Sequence, residues 1–175
     1  YGIKPTDPPA YPSNGIRPRT VIISHGHLDH CGLAPNLMDL EPEIYCTSIT
    51  SRLSALLARD TLKIAKNKGH VIPYYTEEIQ EFERKARMID YRQEFETNGY
   101  SACLYDAGHI PGSSSIHIEK DKQSLFYTGD INTQQTELQR GADTEYPLCD
   151  TLMVESTYFG RNHTPRKILE ERFIG

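Results

Sequence analysis

The apolar positions of this chain change rhythm partway along. Val21-Ile22-Ile23 is a continuous apolar run within Thr20 to Ser24, as in a short buried strand, and Glu43 to Cys46 predicts another. Leu33 to Leu40 between them predicts a short helix. Thr47 or Ser48 can cap a longer helix running to about Lys68, with Leu53, Leu56, Leu57 and Ile64 on one face and Gly69 as its stop. His70 to Tyr75 is a connection, and from Thr76 the spacing of Ile79, Phe82, Ala86 and Ile89 predicts a second helix. After Asn98-Gly99 strands take over: Ser101 to Tyr105, Ser115 to Glu119 and Ser124 to Thr128, with a polar turn at Glu119-Lys120-Asp121-Lys122. Asp150 to Glu155 reads as a further buried strand, and Pro165 opens a helix in the position proline favours. Strands alternating with helices, followed by hairpin strands, give a mixed α/β layered domain. Tyr1 to Arg19, rich in proline and without periodicity, reads as an extended connection.

The chemistry concentrates in Ser24-His25-Gly26-His27-Leu28-Asp29-His30, directly after the first strand. Three histidines and an aspartate at this density can hold two metal ions. Zinc suits them best, with manganese or iron as alternatives. A strand-to-loop turn can aim His25 and His27 at one ion while Asp29 and His30 point at another. Two further candidate ligands leave strands in the same manner: His109 within Gly108-His109-Ile110-Pro111-Gly112-Ser113, and Asp130 within Tyr127-Thr128-Gly129-Asp130. Glycine beside each lets the backbone crowd a small ion.

Composition narrows the classes. With 19 basic and 24 acidic residues the net charge is −5, which argues against a protein that grips nucleic acid over its whole surface. Two divalent ions in a cleft would reverse that field locally. Basic groups at Lys63, Lys66 and Lys68, at Arg84, Lys85 and Arg87, and at Arg161, Arg166 and Lys167 each read as solvated surface. Cys31, Cys46, Cys103 and Cys149 have no CxxC spacing and look like reduced, buried thiols of a cytoplasmic protein. Cys31 adjoins the histidine motif, so it is either a ligand or a packing residue. No apolar run reaches membrane-spanning length.

His25-Gly26-His27-Leu28-Asp29-His30, then His109, then Asp130, resembles the motif series of the metallo-β-lactamase superfamily. Glu155-Ser156-Thr157-Tyr158 resembles the first motif of its β-CASP branch, the nucleases that process RNA and DNA. Gly108-His109-Ile110-Pro111-Gly112-Ser113 and the helical pair between Cys46 and Asn98 are similar to archaeal and bacterial relatives of the cleavage and polyadenylation endonuclease subunit and of ribonuclease J. The resemblance implies part of a four-layer αββα sandwich over residues 20–175. The first strands would then lie outside this chain, and the β-CASP domain would follow residue 175. Phe159 departs from the pattern, standing where relatives usually carry glycine.

Carried over, the resemblance implies that His25, His27 and His109 bind one Zn2+, that Asp29 and His30 bind a second, and that Asp130 bridges them. Mn2+ is the alternative metal. It gives catalytic roles to Asp29, to Glu155 as a supporting or proton-transfer carboxylate, and to His163; a strand-end cap and a solvated loop histidine are the plain alternatives for the last two. His70 reads as structural, and His117 should face away from Ile116 and Ile118. Ser113, Ser114 and Ser115 could hold a backbone phosphate or simply begin a strand. The implied function is zinc-dependent cleavage of single-stranded RNA, in RNA processing or 3′-end maturation, by water activated between two metals. A DNA nuclease of the same branch, a small-molecule ester, thioester or lactone hydrolase, and a non-enzymatic scaffold are the alternatives. A homodimer would form through regions outside this chain.

Overall fold

Strand β2 (Glu43–Cys46) runs between β1 (Thr20–Ile22) and β3 (Ala86–Met88), parallel to both, and Ile44 pairs with Val21 on one side and Ala86 on the other. Alternation along these strands sends successive side chains to opposite faces. Ile23, Ile44 and Cys46 pack under helices, whereas Ile22 and Tyr45 join Ile89, Leu104 and Ile116 between this sheet and a second one. The second sheet is a meander of β4 (Glu94–Thr97), β5 (Tyr100–Asp106), β6 (Ser114–Lys120) and β7 (Gln123–Tyr127), closed by β8 (Thr151–Met153), which pairs parallel with β7. In this computed structural model residues 15–162, 164 and 166–174 are described, and 1–14, His163, Pro165 and Gly175 are not.

Helices α2 (Ser48–Lys68) and α3 (Thr76–Lys85) cover the outer face of the first sheet, burying Ala55, Ala58, Leu62, Ile79 and Phe82. Thr47 caps α2 by accepting the Thr50 N–H at 3.2 Å, and Gly69 ends it in the left-handed conformation, as the sequence predicts. The outer face of the second sheet is covered by the segment around Tyr146, whose ring lies 4.7 Å from that of Phe126 and 5.7 Å from that of Tyr105. Helices, sheet and sheet supply three consecutive layers of an αββα sandwich among the described residues. Where the sheets part, an apolar groove of about 730 Å³ opens between Ile22, Ile116, Ile118, Leu125, Tyr127 and Met153.

Several elements differ from expectation. The buried face of α2 is not the leucine face: Leu56 and Ile64 are 60% and 42% exposed, and Thr50, Ser51, Ser54, Ala55, Ala58, Leu62 and Ala65 face the core. Small residues let the helix lie close, and Leu53 sits where a Cβ on Gly26 would stand 2.6 Å from its own. The second predicted helix stops at Lys85. Ala86 turns to φ −62°, ψ 121° and starts β3, so Ala86 packs on the helix side while Ile89 packs between the sheets. A spacing that imitates one helical face is divided between two layers. Residues 35–40 form a 3-10 turn beginning at Pro35 rather than an α-helix from Leu33. The strand predicted as buried over Asp150 to Glu155 is the short, exposed edge strand β8, with Leu152 61% and Met153 53% exposed. Helix α4 (Arg166–Ile174) follows, as expected after Pro165.

Candidate metal centre

The C-terminal ends of β1, β5 and β7 lie together, and each delivers part of one cluster. His25 follows β1. His27 ends the extended stretch, and its carbonyl accepts the N–H groups of His30 and Cys31 at 2.9 and 2.8 Å, making the single helical turn α1 (Leu28–Cys31). That turn folds Asp29 and His30 back beside His25. His109 lies on the loop after β5, and Asp130 follows β7.

Four of these side chains converge. His25, His27, His109 and Asp130 offer donor atoms that all lie within 4.8 Å of one another. His25 Nε2 is 3.1 Å and His109 Nε2 3.2 Å from His27 Nδ1, and Asp130 Oδ2 is 3.7 and 3.5 Å from the two Nε2 atoms. Four donors around a tetrahedral ion at 2.0–2.1 Å stand about 3.3 Å apart, so this set has the spacing a zinc ion requires. The other carboxylate oxygen, Asp130 Oδ1, lies 3.3 Å from His30 Nε2, which is itself 3.5 Å from Asp29 Oδ2. Asp130 therefore turns one oxygen to each group.

Charge state suits the same role. His25 is fully buried, and burial, reinforced by His30, His27 and His109, pulls its pKa down to about 3. Burial also lowers His109, partly offset by Asp130. Such imidazoles are neutral at neutral pH, the state that coordinates a metal. Asp29 is the open member, with 65% of its side chain exposed.

The supporting residues are specific. Glu155 Oε1 accepts the Ile131 N–H at 2.9 Å, directly after Asp130, and that bond holds its carboxyl below the usual range. Ser113 Oγ accepts the N–H groups of His109 and Ile110 at 3.1 and 3.2 Å. Ser114 Oγ donates to the Ser24 carbonyl at 3.0 Å, and Ser115 Oγ to that of Thr128 at 2.9 Å. All three serines are buried, which corrects the phosphate-binding expectation: their hydroxyls already serve the loops that carry His25, His109 and Asp130. Cys31 is packed in the core. His117 faces away from Ile116, toward Phe126, as expected, and His70 stands apart from the cluster at the end of α2. His163 lies outside the described residues. Sequence reasoning missed Thr47, Thr50 and Ser24. The available signal for Ser24 was a hydroxyl at a strand position sharing the inner face with Ile22.

Residues 4–167 match the family model described as the beta-lactamase superfamily domain. The chain belongs to the metallo-β-lactamase superfamily, in its β-CASP nuclease branch. It is 36% identical over 159 residues to Probable RNase MJ4 of Methanocaldococcus jannaschii, a match covering 88% of this chain and 37% of the relative. It is 36% identical over 155 residues to RNase aCSPSF2 of Saccharolobus solfataricus (87% and 31%), and 37% over 143 residues to transcription termination factor FttA of M. jannaschii (79% and 23%). The chain thus spans about a quarter to a third of the length of these relatives. No described helix is long and apolar enough to cross a membrane.

Proposed function

We propose that this chain carries the metal centre of a zinc-dependent ribonuclease that hydrolyses phosphodiester bonds of single-stranded RNA. The observation that carries the reading is Asp130, whose two oxygens lie within 3.3–3.7 Å of His25 and His109 on one side and of His30 on the other. One carboxylate shared in this way is what a pair of closely spaced ions requires. The ribonuclease names of relatives along most of the chain support RNA as substrate.

His25 Nε2, His27 Nδ1, His109 Nε2 and Asp130 Oδ2 form the first site, and His30 Nε2, Asp29 Oδ2 and Asp130 Oδ1 contribute to the second. Two divalent ions held there supply a water whose pKa falls towards about 7 and neutralise charge on the phosphate under attack. The burial of His25 keeps one wall of the site dry. Asp29, exposed at the opening, is the first side chain that RNA meets, and its second oxygen takes the proton released as water attacks phosphorus. Glu155 fixes the Asp130 turn through the Ile131 N–H. Hydrolysis consumes one water and leaves one phosphomonoester end and one hydroxyl end.

Elemental analysis of the full chain, with cleavage of labelled single-stranded RNA and DNA in the presence and absence of a chelator, tests this. About two zinc ions per chain and chelator-sensitive cleavage of RNA are expected. Metal-free protein with full activity, or cleavage confined to DNA, overturns it.

A further inference from the structure

Ser24 lies outside the proposed ligand set, yet its hydroxyl touches that set twice. Ser24 Oγ is 3.2 Å from His25 Nδ1 and 3.4 Å from His30 Nδ1. These histidines belong to the two different sites, and each turns its Nε2 toward Asp130. A neutral imidazole that offers Nε2 to a metal carries its proton on Nδ1. Both Nδ1–H groups then point at one oxygen. A hydroxyl has two acceptor lone pairs and one donor, so it can accept both and still donate. A third polar neighbour, the Tyr127 phenol, is there to receive that remaining proton.

The hydroxyl is held in place from behind. Ser24 is buried, and its carbonyl accepts the Ser114 N–H at 2.7 Å and the Ser114 hydroxyl at 3.0 Å. Gly129, at φ +57° directly before Asp130, lies so close that a Cβ there would stand 3.1 Å from Ser24 Cβ. The same serine therefore also sets the approach of the Asp130 turn.

Resting on the two-metal reading, we propose that Ser24 is a positioning residue that orients one histidine of each metal site through a single hydroxyl, so that the two sites are tuned together. Outer partners of metal-bound histidines are worth roughly 10–100-fold in metal affinity. Replacing Ser24 should act on both sites at once, unlike a change at either histidine.

Cobalt titration followed by the visible spectrum, and 15N-histidine NMR of the zinc-loaded full chain, provide the test. In the unsubstituted protein, the Nδ1–H protons of His25 and His30 are expected as slowly exchanging signals with cross-peaks to the Ser24 β-protons. In Ser24→Ala both cobalt-binding steps should weaken, by roughly 10–100-fold, and these two signals should shift while those of His27 and His109 stay. Ser24→Thr, which keeps the hydroxyl, should restore both. Missing cross-peaks, unchanged titration of Ser24→Ala, or weakening of one step alone overturns the proposal. An unsubstituted protein that binds no metal refutes the metal centre itself, a result seen before any variant is made.

Discussion

Thr47 donates its hydroxyl to the carbonyl of Gly112 across 2.7 Å, tying the N-cap of α2 to the loop that carries His109. Thr50 donates to the same carbonyl at 2.8 Å. Gly112 has φ +82°, and a Cβ there would stand 2.7 Å from Ile49 Cβ and 2.9 Å from Thr47 Oγ1. Gly112→Ala should therefore cost about 1–3 kcal/mol of stability, and Thr47→Ala about 1–2 kcal/mol, from the lost cap and a buried carbonyl left with one donor. Denaturant unfolding checks both, and a Gly112→Ala variant as stable as the parent would contradict the close packing.

Asp130→Ala should remove metal from both sites, because one carboxylate serves both. Metal content is expected to fall from about two ions per chain to less than one. Retention of one tightly held ion would show that Asp130 belongs to a single site.

Asp29 makes the opposite test. Its side chain is largely exposed, so Asp29→Ala should change stability by less than about 0.5 kcal/mol. Cleavage of RNA should nevertheless fall more than roughly 100-fold, beyond the loss typical of residues that merely support a ligand. Calorimetry and steady-state cleavage on the same preparation separate the two effects.

The thiols should divide by burial. Burial pushes Cys46 up to about 12 and raises Cys31 and Cys103, whereas Cys149 is half-exposed. At about pH 8 a thiol-specific chromophore should label Cys149 quickly and the other three only on unfolding. Because the folded chain holds these protons more tightly than the unfolded chain, the stability they confer is intact below about pH 9 and is lost as pH rises towards about 12. Rapid labelling of Cys46 in folded protein would refute its burial.

The contiguous parts of the site were legible. His25, His27, Asp29 and His30 share one turn, so their spacing alone implies convergence, and a hydroxyl at Thr47 with Gly69 at the far end marks α2. What periodicity could not show was which side of an element faces which layer. Ile79 and Phe82 pack under helices while Ile89, continuing the same spacing, packs between sheets. On α2 the close approach to the sheet selected alanine and serine for the core, against the hydrophobicity of Leu56 and Ile64. The partners of His109 and Asp130 were hidden for another reason. Ser113 is near in sequence, but Thr47 reaches Gly112 across 65 residues, a pairing only the fold reveals.

The cluster draws His25 and His27 from the parallel sheet but His109 and Asp130 from the meander. A nascent chain holding only the first sheet offers a site two donors from that set, too few to capture an ion against water. Metal uptake thus waits for the sheets to dock, a step made slow by contacts so distant along the chain. Loading then acts as a receipt for completed folding, and misassembled chains stay inert for want of an ion.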